Sequence, residues 1–73
     1  MLPKNRIGLY AVAYLLVDKE YGTALEVARQ IQARASASGD NDAFKIAGDA
    51  ISVLERKVQE PAEAGLQIAG SSN

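Results

Sequence analysis

The chain has no cysteine, no histidine and no tryptophan among its 73 residues. The first absence excludes disulfides, thiolate metal sites and thiol nucleophiles together. The second removes the usual zinc ligand and the commonest general base. A chain this short buries only about 60% of the surface its unfolded form exposes, so a small domain leans on a disulfide, a metal or association. With thiols and imidazoles gone, association is the staple that remains. An excess of one charge is missing too. Eight Lys and Arg stand against nine Asp and Glu, a net charge of −1, far from the basic balance of a phosphate-binding domain. The lack of cysteine fits a reducing, cytoplasmic setting.

Aromatic residues are few, and two of the three tyrosines fall in one uncharged run, "IGLYAVAYLLV" at 7–17. A membrane-spanning helix needs about 20 mostly apolar residues. This run has eleven and is closed by Asp18, Lys19 and Glu20. Lys4 and Arg6 before it imitate the basic start of a signal peptide. However, "DKEYG" follows it where a small-residue cleavage site is required. The run is therefore expected to remain in the protein as a helix, either as core or as a surface for another protein.

Its large residues define the problem. Ile7, Tyr10, Tyr14, Val17 and Tyr21 recur at spacings of 3, 4, 3 and 4, one stripe of a helix. Leu9, Val12, Ala13 and Leu16 lie on other sides of it, and a helix apolar all round belongs in a core. The first helix is thus expected to be the most buried element. Leaving Leu9, Val12 and Leu16 wet would forgo roughly 1.5–3 kcal/mol each.

Pro3 suits the first turn of this helix, where its missing N–H is harmless, and Gly22 is its expected terminator. Thr23 and Glu26 have the T-x-x-E spacing of a capping box, opening a second helix with Ala24, Val27, Ala28, Ile31 and Ala35 on its apolar face. Gly39 marks the next stop, and Asp40, Asn41 and Asp42 offer N-caps for a third helix. There Phe44, Ala47, Ile51, Leu54 and Val58 form a stripe widened by Ala43, Ile46, Ala50 and Val53. Gly48 is a candidate for a close helix crossing, and Lys45 with Asp49 has the spacing of a surface pair. Pro61 ends the third helix at or before Glu60. The spacing predicts an all-α, three-helix domain over 1–60, with helices at about 4–20, 24–38 and 42–60. A partly disordered tail is expected over 61–73, and homodimerisation through the first helix completes the domain.

No catalytic constellation is legible, no cofactor is implied, and an enzyme is not expected. "GDND" at 39–42 fails the EF-hand spacing, because the fifth loop position from Asp40 is Phe44. A helix-turn-helix reading has only Arg29 and Arg34 on its second helix, few for phosphate contacts. The stretch 21–57, with Gly22, "VARQI" at 27–31, Gly39-Asp40 and "AISVLERK" at 50–57, resembles a group of small uncharacterised bacterial proteins. That resemblance implies a bacterial origin and an all-α fold, and no activity. The expected function is a small protein-binding module, an adaptor, accessory subunit or inhibitor. Its interface is expected to draw on Ile7, Leu9, Tyr10, Val12, Tyr14, Leu16, Val17 and Tyr21, with a second copy or another protein as partner. A DNA-associated regulator is the alternative, and a peripheral membrane protein using the first helix the third reading.

Overall fold

The computed structural model of the chain describes residues 1–59. They form three α-helices, α1 (Pro3–Val17), α2 (Tyr21–Ser38) and α3 (Asn41–Gln59), with no strand among the described residues. The expected tail over 61–73 lies outside them. The all-α, three-helix expectation holds, and the helix boundaries differ where the chain turns.

Pro3 occupies the first turn of α1, as expected. The far end closes earlier than Gly22. Glu20 N–H donates to the Leu15 carbonyl at 2.8 Å and Lys19 N–H to the Leu16 carbonyl at 3.0 Å. This is the bond pair of a Schellman motif, and Lys19 holds its left-handed position at φ 62°. Gly22 is instead inside the first turn of α2, and Tyr21 opens α2 rather than closing α1. The capping box is displaced for the same reason. Glu20 takes the N-cap position without a side-chain hydrogen bond, and Thr23 lies within the helix. The turn at 18–20 is set by packing, because it lets Ala24 reach the core, where local propensity is readily overridden.

The second turn follows the sequence closely. Gly39, at φ 72°, ends α2. Asp40 caps α3 through its own carboxylate, accepting the Ala43 N–H at 3.3 Å.

The core sits along α2. Ala24, Ala28, Ile31 and Ala35 are buried on it, joined by Val12 from α1 and by Ala43, Ala47 and Leu54 from α3. The small residues let α3 lie close against α2. Helix α1 packs chiefly on α2 and touches α3 little. The expectation that the first helix is the most buried element is therefore corrected: of its residues only Asn5 and Val12 are buried. Two partner helices cover one side of a helix, and here α1 meets essentially one.

Candidate interaction surface

The rotation of α1 about its own axis decides which of its residues face solvent, beside the exposed Phe44, Ile46, Val53 and Val58 of α3, and a buried polar group fixes that rotation. Asn5 is almost fully enclosed. Its amide N–H donates to Asp40 Oδ2 at 2.9 Å, and its carbonyl accepts from Arg34 Nε at 3.3 Å. Asp40 Oδ2 also accepts the Leu2 N–H at 2.7 Å, and the Met1 amino group lies 4.0 Å from Oδ1. The Leu2 N–H and the Asn5 amide hold the Asp40 carboxyl below its ordinary range, against the opposing effect of burial. A buried amide that left these partners would cost its unmade hydrogen bonds, so the side of α1 bearing Asn5 must face inward.

Helical geometry then assigns the rest. Nine residues at 100° each place Tyr14 opposite Asn5. Gly8, Leu9, Val12 and Leu15 share the inner side, with Leu9 and Leu15 half-buried against the core. Gly8 marks the close crossing: a Cβ there would stand 2.8 Å from Ile31 Cδ1 and 3.0 Å from Cγ1. The 3-4 stripe of the first helix is for the most part its outer surface. Ile7 is 67% exposed, Tyr10 62%, Tyr14 76% and Val17 77%, against 5% for Val12. Tyr21 lies against the core from its place at the start of α2. Of the eight interface candidates, Ile7, Tyr10, Tyr14 and Val17 thus share one open face. Leu16 is partly open on the side toward α3, while Val12, Leu9 and Tyr21 are engaged within the chain.

The open face is uniform in character. Ala11 and Ala13 flank it, and no charge occurs between Arg6 and Asp18. Tyr10, Ala13, Tyr14 and Val17 line a shallow depression. Tyr10 also borders a second hollow with Leu9, Arg6 and Ile46. Ile46 borders a third, of about 320 Å³, between Val12 and Leu16 of α1 and Ala50, Val53 and Leu54 of α3. Tyr10 and Ile46 thus link the outside of α1 to its cleft with α3, with Arg6 and Asp49 the charged residues along the way.

Comparison with protein families, curated proteins and solved structures finds no match.

The other sequence candidates fall elsewhere. Arg29, on α2, pairs with Glu55 at 2.9 Å, and Arg34 is bonded to Asn5. Both arginines of the helix-turn-helix reading are thus engaged within the chain, on the central helix. No described helix is long and apolar enough to cross a membrane. The residues that sequence reasoning missed are Asn5 and Gly8. Their signal was present: Asn5, Gly8, Val12 and Leu15 are themselves spaced 3, 4 and 3, a second stripe with a polar first member.

Proposed function

We propose that this chain is a small, non-catalytic protein-binding module, an adaptor, accessory subunit or inhibitor, and that the outer face of α1 is its contact surface. The observation that carries this reading is the exposure of Ile7, Tyr10, Tyr14 and Val17 together on one uncharged face. Single exposed apolar residues are ordinary, whereas a contiguous exposed apolar patch marks a contact site. Tyrosine suits such a face, because its ring buries apolar area while its hydroxyl stays satisfied at the rim. Covering a large apolar side chain contributes about 1.5–3 kcal/mol, a useful sum for a domain of this size.

Self-association is the form of binding this reading takes first, since two-fold dimers are the commonest oligomers. Sedimentation equilibrium over the micromolar range tests it. The wild type is expected to associate, and Tyr14→Glu, with unchanged helical circular dichroism, to stay monomeric. Association that Tyr14→Glu leaves intact would move the contact surface away from this face.

A further inference from the structure

We infer that the occupant of the outer face of α1 is α1 of a second copy, laid antiparallel about a two-fold axis level with position 12. The inference rests on reading that face as a protein contact surface, and adds the partner and its register. The face is close to a palindrome. Going outward from position 12, Ala11 and Ala13 come first, then Tyr10 and Tyr14, then Ile7 and Val17. In an antiparallel pair each position meets the one equally far on the other side of the axis. Tyr10 then meets Tyr14 of the partner copy, and Ile7 meets its Val17, like with like at both distances. The flanking alanines leave room for the helices to approach, as small residues do at close crossings.

The ends of the helix fix the direction. Lys4 and Arg6 lie exposed at the start of α1, and Asp18 and Glu20 lie exposed just past its end. The same register sets Arg6 against Asp18 of the partner copy and brings Lys4 to the acidic turn at its 18–20. Lys19 reduces the acidic end to a net −1 (two acids, one lysine), against +2 at the basic end. A parallel pair would instead set Lys4 and Arg6 beside their own copies, and the acids likewise, with the helix dipoles aligned. Antiparallel pairing opposes the dipoles and joins unlike charges at both ends. The cleft between α1 and α3 lies around the side of α1 and stays open in this arrangement.

The chain has no thiol among its residues, so introduced cysteines report the register directly. Ile7 and Val17 are about 15 Å apart along a helix, and a disulfide needs Cα atoms within about 7 Å. A mixture of Ile7→Cys and Val17→Cys full-length chains is expected to cross-link under mild oxidation, with Ile7→Cys alone staying largely uncross-linked. Charge exchange gives a second reading without thiols. Arg6→Glu and Asp18→Lys are each expected to weaken the dimer roughly three- to tenfold, and an equimolar mixture of the two to restore it. Efficient cross-linking of Ile7→Cys to itself, or a mixture no tighter than either single variant, overturns the antiparallel register. If Tyr14→Glu still abolishes association in that case, the contact-surface reading stands without it. A wild-type chain monomeric up to high micromolar concentration overturns the second copy as occupant. Recovery of such a monomer with floated anionic vesicles would assign the face to a lipid surface instead.

Discussion

Gly8 and Gly48 are both mid-helix glycines, and the same substitution is expected to act on them with opposite sign. Replacing a helical glycine by alanine gains up to about 1 kcal/mol of helix propensity. At Gly8 the new methyl would press on Ile31, whose side chain is fully buried and has nowhere to go in a close-packed core. Overpacking of this kind costs about 1–3 kcal/mol. Gly8→Ala should therefore lower the denaturation midpoint, and Ile31→Val in the same chain should recover part of the loss. At Gly48 the new methyl would stand 2.9 Å from Gln32 Nε2, the end of a flexible side chain on a half-buried residue. Gln32 can swing aside, so Gly48→Ala should raise stability by up to about 1 kcal/mol. Urea titrations of the two variants check both signs.

The two turns between helices are built alike from unlike residues. Both close with a Schellman pair of hydrogen bonds, at Lys19 after α1 and at Gly39 after α2. Glycine takes the left-handed conformation freely, whereas a residue with a Cβ is penalised there by about 1–2 kcal/mol. Lys19→Gly should thus stabilise the chain by about 0.5–1 kcal/mol once glycine's greater freedom in the unfolded chain is deducted, visible as a higher melting temperature. The α2–α3 turn carries a pH dependence instead. Asp40 caps α3 and holds the start of α1, and its carboxyl is depressed in the folded chain, chiefly by the Leu2 N–H and then by Asn5. A depressed folded value means that the unfolded chain takes up the proton first as pH falls. The contribution is full above the ordinary carboxylate value of the unfolded chain and is lost as pH drops through the lower folded one. Acid titration of the helical signal should show this loss, and Asp40→Asn should flatten it at a lower overall stability, because its single carbonyl oxygen can serve either the Ala43 N–H or the Leu2 and Asn5 donors.

Among the described residues, α2 is the spine and α1 the outlying helix. Opening free energies follow buried contacts, so amide exchange should be slowest in α2 and fastest in α1. The Tyr14→Glu variant is the chain in which to measure it, because association would protect α1. Binding that favours the folded state also makes stability depend on concentration. The wild-type melting temperature should rise with protein concentration, and that of Tyr14→Glu should stay constant. Surface ion pairs add little here: Arg29–Glu55, with both side chains about half exposed, is worth less than about 1 kcal/mol.

Much of this architecture was legible along the chain. The apolar periodicity of 24–35, the stop at Gly39 and the cap at Asp40 are local signals, and local physics decides them; of the stripe read over 43–58, Ala43, Ala47 and Leu54 are buried while Phe44, Ile46, Val53 and Val58 stay exposed. The apolar excess of 7–17 was legible as well. Which side of that helix would stay wet was not, because its pattern contains two stripes of equal regularity. One runs through Ile7, Tyr10, Tyr14 and Val17, the other through Asn5, Gly8, Val12 and Leu15. Hydrophobicity favours burying the first. The folded chain buries the second, since only there can Gly8 admit Ile31 and Asn5 join Arg34 to Asp40, a residue 35 positions away in sequence. Periodicity and turn chemistry are enough for three helices and a surplus of apolar surface. Where that surplus lies is a tertiary outcome, because a buried amide must find its partners and a close crossing must find its glycine.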